Sequence, residues 1–153
     1  MSTFIGNSEA RLDAKGRVFV PSSYRKLLPD DGCGRRLVMR MDPDNACIIL
    51  YPEDVWNRKV GDFREKLDEW NPDDQMLLMQ FVSDAEWLEI DAQGRILVPK
   101  RYLQQIGADA EVLFVGMLDR MALWSKAGYE QSRLSQADFA KRLAEKMKKK
   151  VES

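Results

Sequence analysis

Apolar positions along the chain recur with two periods. Short apolar or alternating runs, of the kind a half-buried strand requires, fall at residues 10–12, 18–20, 37–39 and 47–51, and again at 87–90, 96–98, 112–115 and 121–124. Pro21 and Pro99 stop the second strand of each set and pre-set φ for a first helical turn, which predicts short helices over residues 22–28 and 100–106, the latter stopped by Gly107. Between the two sets Val55, Trp56, Val60, Phe63, Leu67 and Trp70 fall at helix-like spacings, predicting a helix over residues 53–70. Asn71-Pro72-Asp73-Asp74 then opens a second helix: an Asn cap, Pro at the first position and acids in the first turn. That helix carries Met76, Leu77, Met79, Gln80, Phe81 and Val82, a content suited to core or inter-subunit packing rather than to a cofactor. Ser135-Gln136-Ala137-Asp138 resembles a capping box and opens a final helix, with Phe139, Leu143 and Met147 on one face and a basic end at Lys146 and Lys148–Lys150. That basic end reads first as a solvated tail favoured by the helix dipole, and second as a phosphate-binding arm.

The two strand sets are copies of one unit. Asp13-Ala14-Lys15-Gly16-Arg17-Val18-Phe19-Val20-Pro21-Ser22-Ser23-Tyr24 returns as Asp91-Ala92-Gln93-Gly94-Arg95-Ile96-Leu97-Val98-Pro99-Lys100-Arg101-Tyr102, with seven of twelve positions identical. Each unit reads as strand, turn, strand, short helix, strand, turn, strand. The first copy is five residues longer between its tyrosine and its fourth strand, and the loop at residues 29–34 can hold most of the excess. Half a barrel of this kind leaves an open edge and an uncovered core, whereas two copies in one chain can close on each other. In the shared turn, Asp can accept backbone N–H bonds or hold the Arg four residues on, Gly permits the reversal, and Arg projects from the start of the next strand. Two roles suit it: an Asp–Arg pair that ties the hairpin, or a guanidinium offered bidentately to phosphate or to a guanine edge.

Composition narrows the chemistry. With 153 residues, 44% hydrophobic and 32% charged, the chain has the make-up of one globular domain. There is no histidine, which removes the commonest general base and metal ligand; no Gly-rich phosphate loop and no metal-spaced cysteines are present, and the carboxylates form no constellation that selects a pair. An enzyme is therefore not expected, nor a cofactor, metal or small-molecule ligand. Cys33 and Cys47 read as reduced, inert thiols. The N-terminus has neither a basic nor an apolar signal region and no apolar run approaches the roughly 20 residues of a membrane span, so a cytoplasmic chain is expected. The net charge of −1 hides a segregation: residues 1–40 carry eight basic and four acidic groups, residues 53–91 four basic and twelve acidic, and residues 92–153 twelve basic and seven acidic. Both turns border positive stretches, and the distribution of charge rather than its total governs docking of a polyanion.

Leu12 to Pro21 followed by Tyr24-Arg25, and again Ile90 to Pro99, resemble the two motifs of the MraZ family of bacterial transcriptional regulators. Leu50-Tyr51-Pro52, the helical connector and Leu123-Trp124 also match, so that the resemblance covers roughly residues 3 to 130, with the helix from about 135 outside the well-matched part. The resemblance implies an α+β chain of two tandem SpoVT/AbrB-like swapped-hairpin repeats that form one pseudo-symmetric β-barrel. The expected organisation is a single domain over residues 1–153, with repeat 1 at 6–52, a helical connector at 53–84, repeat 2 at 85–130 and a C-terminal helix at 135–150. It further implies a nucleoid-associated, ring-like homo-oligomer that binds double-stranded DNA at short G-containing direct repeats and represses the division and cell-wall gene cluster downstream. The family's DNA-contacting arginine maps onto Arg17 and Arg95, set in the turns of Asp13, Lys15 and Gly16 and of Asp91 and Gly94. Lys15 is replaced by Gln93 in the second copy, so the first turn is expected to bind more strongly. The alternative is an AbrB-fold protein-interaction module, of antitoxin or scaffold type, without a specific DNA target and working through its acidic helices.

Overall fold

The computed structural model of the chain describes residues 3–28 and 35–152, the last four of these by their backbone alone. The expected loop at 29–34, with Cys33, lies outside the described residues, as do the side chains of Lys149 and Lys150. The elements run β1 (Asn7–Arg11), β2 (Arg17–Phe19), α1 (Ser22–Arg25), β3 (Arg35–Met41), β4 (Ile48–Pro52), α2 (Glu53–Glu65), α3 (Pro72–Ser83), β5 (Glu86–Ile90), β6 (Arg95–Leu97), α4 (Lys100–Gln105), β7 (Glu111–Gly116), β8 (Met121–Ser125), α5 (Lys126–Ser132) and α6 (Gln136–Glu152). All eight strands expected from the apolar pattern are present, each within a few residues of its expected place.

Six strands form one antiparallel sheet in the order β1-β7-β8-β4-β3-β5, and β2 pairs with β6 in a separate two-stranded ribbon. Exchanging the first and second halves of the chain leaves this pairing unchanged: β1–β7 maps onto β5–β3, β4–β8 onto itself, and the ribbon onto itself through Val18↔Ile96. The strands before and after each turn therefore do not form a hairpin ladder together. They go to different partners, and those partners lie in the other half of the chain.

Among the described residues the ladders do not join into one closed barrel, contrary to the expectation from sequence. The sheet ends at β1 and β5, and the ribbon lies across one face. The ribbon strands are three residues long and are stopped by Pro21 and Pro99, which lack the N–H that would extend the ladder.

The core explains why some strands alternate and others are apolar throughout. One face of the sheet contributes Leu37, Met39, Ile48, Leu50, Val112, Phe114, Met121 and Leu123 to a cluster shared with Val18, Val20, Ile96 and Val98 of the ribbon segments and with Tyr24, Tyr102, Leu103 and Ile106 around α1 and α4. The opposite face contributes Val38, Ile49, Tyr51, Ala122 and Trp124 to a second cluster with Val55 and Trp56 of α2. Phe81 of α3 stacks on Trp56 with centroids 5.3 Å apart, and Tyr129 of α5 meets Trp124 edge-on at 5.5 Å. The central strands β4 and β8 are covered on both faces, so all five positions of each are buried.

The helices follow their local signals, with three departures, the first being that α1 ends at Arg25, three residues short of its expected end. Asn71 caps α3, its side chain accepting from Asp73 and Asp74 N–H, and Ser135 Oγ accepts from Asp138 N–H at the start of α6. The helix expected to reach residue 70 ends at Glu65. Asp74 accepts from Asp68 N–H (2.8 Å) and Asp68 accepts from Trp70 N–H (2.9 Å), so side-chain carboxylates take over backbone donors that a longer helix would use. Helix α5 was not expected. Ser125 caps it through Gly128 N–H (3.0 Å), and it follows β8 as α2 follows β4.

The Phe114 side chain is completely buried between sheet and ribbon. Phe114→Ala is expected to destabilise the protein by about 3–5 kcal/mol, measured as a lowered urea midpoint with an unchanged m-value.

Candidate functional site

The two turns have nearly the same geometry. Asp13 Oδ1 accepts from Lys15 N–H and Arg17 N–H, both at 2.9 Å, and its Oδ2 accepts from Arg17 Nε at 2.7 Å. Asp91 Oδ1 accepts from Gln93 N–H and Arg95 N–H, again at 2.9 Å, and its Oδ2 accepts from Arg95 Nε at 3.0 Å. The backbone closes under each carboxylate, Asp13 N–H to Arg17 O and Asp91 N–H to Arg95 O, both at 2.9 Å. One aspartate thus satisfies the turn's backbone donors and orients the arginine that leaves it. The backbone bond from the arginine, outweighing a partial loss of hydration, holds each carboxyl below the usual carboxylate range.

Gly16 and Gly94 sit at φ +90° and +89°, a region that L side chains rarely adopt. Each also lies against the other half of the chain. Gly16 O accepts from Val98 N–H and Gly94 O accepts from Val20 N–H, both at 3.0 Å. A Cβ on Gly16 would stand 2.8 Å from the Val98 carbonyl oxygen, whereas one on Gly94 would run into the Arg25 guanidinium. The tyrosines that follow anchor the two units alike: Tyr24 donates to Gly6 O (2.8 Å) and Tyr102 to Asp84 O (2.9 Å).

The site residues expected from sequence thus fall into two groups: Asp13, Lys15, Gly16 and Arg17 in one turn, and Asp91, Gly94 and Arg95 in the other. The β2–β6 register, Arg17↔Leu97 and Phe19↔Arg95, joins the two arginine-bearing strands directly. Each arginine bonds its own aspartate through Nε, and among the described residues neither Nη of Arg17 or Arg95 takes a hydrogen-bond partner. The Arg17 side chain is 35% exposed and the Arg95 side chain 21%. Phe19 and Leu97 lie exposed beside them on the ribbon, and Arg95 Cζ stands 6.0 Å from the Phe19 ring centroid.

A feature not anticipated from the residue pattern is Arg25. Its Nε donates to Val20 O (3.0 Å), and its guanidinium lies on Gly94 of the other turn. The signal was present as a difference between the copies, since Tyr24-Arg25 aligns with Tyr102-Leu103.

A groove of about 510 Å³ is lined by residues of α2 and the two that follow it, from Val55 to Leu67, with Phe81 and Asp119, and includes no turn residue. Cys47 is buried, and loss of hydration, with Asp42 close by, pushes its thiol up to about 12, which makes it inert. Among the described residues no cluster of His, Cys, Asp or Glu is suited to a metal ion, and no helix is long and apolar enough to cross a membrane.

The family model described as "MraZ protein, putative antitoxin-like" matches residues 3–79 and 81–150, including both turns. This chain belongs to the MraZ family. The match runs through α6, further than the residue-by-residue resemblance, which stopped near residue 130. A protein of Bacteroides fragilis (strain YCH46) named Transcriptional regulator MraZ is 43% identical over 148 residues, covering 97% of this chain and 93% of its own length. One of the same name from Phocaeicola vulgatus is 44% identical over 144 residues, covering 94% of this chain and 93% of its own. Another from Lachnoclostridium phytofermentans is 33% identical over 135 residues, covering 88% and 90%. These relatives carry the name of a transcriptional regulator and not that of an enzyme.

Two outcomes follow for the turns. Gly16→Ala is expected to destabilise the protein by about 1–3 kcal/mol, and more than Gly94→Ala, because the obstruction at Gly16 is backbone and that at Gly94 the end of a flexible side chain; parallel urea unfolding curves check the order. The aspartates' lowered pKa gives stability that is present above the unfolded carboxylate range, near pH 4, and is lost as pH falls through the folded values. The Asp13→Asn/Asp91→Asn double variant should therefore lose less stability than the parent between about pH 4 and pH 2, followed by thermal unfolding across that range.

Proposed function

We propose that this chain is a DNA-binding transcriptional regulator that works through its two Asp-x-x-x-Arg turns. The observation that carries this reading is the paired geometry: each aspartate engages only the Nε edge of its arginine, so two guanidinium groups stand partly exposed at diagonal positions on neighbouring strands. A guanidinium oriented in this way can contact a phosphate or the O6 and N7 of guanine, each good bidentate pair giving about 1–3 kcal/mol of discrimination. Arg17, with Lys15 beside it and the greater exposure, takes the larger share of contact in the first turn. Asp13, Asp91, Gly16 and Gly94 set the turn shape. The charge segregation supports the reading, with acidic residues concentrated in the α2–α3 connector and the first turn in a basic stretch. The relatives' name supports the regulatory role.

On this reading the chain is one domain: swapped-hairpin repeats at residues 6–52 and 85–130, a connector at 53–84 and a C-terminal helix at 135–150. The exchange of partners between β1–β7 and β5–β3 supports the pseudo-symmetric arrangement. The regulator acts as a ring-like homo-oligomer on short direct repeats and represses its own division and cell-wall gene cluster. Supporting the oligomer, Met76, Met79 and Val82 of α3 and Phe139, Leu143 and Met147 of α6 form apolar faces left exposed in a single chain, and Trp70 is 87% exposed. A ring multiplies a weak turn contact through effective concentration, and neutralised phosphates add a salt-dependent term.

Arg17→Ala is expected to abolish specific retardation of the DNA upstream of the protein's own coding sequence in a gel-shift assay, while the mass by light scattering stays that of the parent. Unchanged retardation by this variant would overturn the assignment. Co-purification of a stoichiometric protein partner, together with no salt-sensitive DNA binding, would favour the protein-interaction module instead.

A further inference from the structure

The two turns are covered by different residues, each donated by the opposite copy. Gly16 of the first turn is capped by Leu103 of α4, whose Cδ1 lies 3.5 Å from where a Cβ would stand. Gly94 of the second turn is capped by Arg25 at the end of α1, with Cζ 2.7 Å from the equivalent point. Leu103 and Arg25 occupy the same place in the repeat, directly after Tyr102 and Tyr24. Within the turns themselves, from the aspartate to the arginine, the copies differ in charge at one point, where Lys15 of the first is Gln93 in the second; beyond them Ser22 and Ser23 are Lys100 and Arg101 in the second copy. The Arg25/Leu103 and Lys15/Gln93 differences meet at the same turn, because the strands exchange partners: the turn that lacks the lysine is the one on which α1 lays an arginine.

Arg25 is held there by a short chain of contacts. Its Nε donates to Val20 O (3.0 Å), and Val20 N–H donates to Gly94 O (3.0 Å), so a single residue couples the guanidinium to the turn it covers. Arg17 and Arg95 each have a carboxylate partner, whereas among the described residues Arg25 pairs with none and its two Nη atoms take no hydrogen bond. A half-buried guanidinium that is positioned, charged and without a counter-ion is suited to an external phosphate oxygen.

We propose that Arg25 is a DNA-phosphate contact of the second turn, so that each turn presents two cations: Lys15 with Arg17 in the first, Arg25 with Arg95 in the second. This rests on the reading of the turns as DNA contacts. Counting Asp13 and Asp91, the two turns then carry equal charge, and the deficit implied by Gln93 is made good from the other half of the chain.

The test is a salt titration, by fluorescence anisotropy, of the full-length chain on a labelled duplex of the DNA upstream of its own coding sequence. Arg25→Leu installs the residue found at 103. It is expected to lower the slope of log K against log salt by about one for each second turn engaged. Adding Gln93→Lys to Arg25→Leu places a cation where the first turn has Lys15, and is expected to restore the slope. A merely structural role for Arg25 predicts no such rescue. Thermal unfolding and light scattering accompany each variant; if Arg25→Leu lowers the Tm or the mass, Arg25→Gln, which keeps a donor for Val20 O, is compared with Arg25→Lys, and only the lysine variant should hold the parental slope. A parental slope in Arg25→Leu or Arg25→Gln, or no recovery on adding Gln93→Lys, overturns the role of Arg25. If Arg17→Ala and Arg95→Ala also leave binding untouched, the reading of the turns themselves fails; if those two lose binding while Arg25→Leu keeps the parental slope, only the Arg25 contact fails.

Discussion

The reciprocal hydrogen bonds from Val98 to Gly16 and from Val20 to Gly94 govern the arrangement of everything else. Each turn is closed locally by its aspartate, but its position in the molecule is set by the other half of the chain. That follows from the exchange of strands: the segment before each turn joins the far side of the main sheet, and the segment after it joins the ribbon. Strands of each half pair with strands of the other, and the two halves share one apolar core, so each covers edges and surface that the other would leave open. The ribbon places the two arginines on adjacent strands, and the same interlock lets α1 reach the second turn and α4 the first.

Within each turn, tying and presenting are done by one contact. The two roles that suited an Asp-x-x-x-Arg sequence, a hairpin clasp or an anion-binding arginine, are not exclusive. The carboxylate uses one oxygen for backbone N–H groups and the other for Nε, which fixes the arginine's direction while leaving its Nη end without a hydrogen-bond partner. An arginine held in this way loses less rotamer freedom on binding than a free one. The acidic helices on the opposite face of the sheet carry charge of the other sign, so a net charge of −1 coexists with a basic first turn.

Local chemistry made most of the elements legible. Asn71-Pro72 and Ser135 started helices where their side chains could accept backbone donors, and Pro21 and Pro99 ended strands because proline has no N–H to give. Expectations missed where non-local or competing contacts decide. The helix from Glu53 is cut short by Asp68 and Asp74, which bond the backbone in place of another helical turn. Helix α5 has a weak apolar pattern and is held by the Ser125 cap and by Tyr129 on Trp124. The open sheet in place of a closed barrel depends on how far three-residue strands can carry a ladder.

The duplication, the eight strands, most of the helices and the shape of each turn were legible from the residues, because these depend on positions close to one another in the chain: an Asp four residues before an Arg, a Gly where φ must be positive, a Pro where a strand must stop. Tertiary structure alone decided which copy each strand pairs with, and therefore which residue covers each turn. Arg25 sits in the sequence of the first copy, 69 residues from the Gly94 it packs against, and its neighbours give no sign of that contact. Pairing between distant strands is chosen by how the whole apolar surface is buried, and that surface is defined only once both copies have folded together.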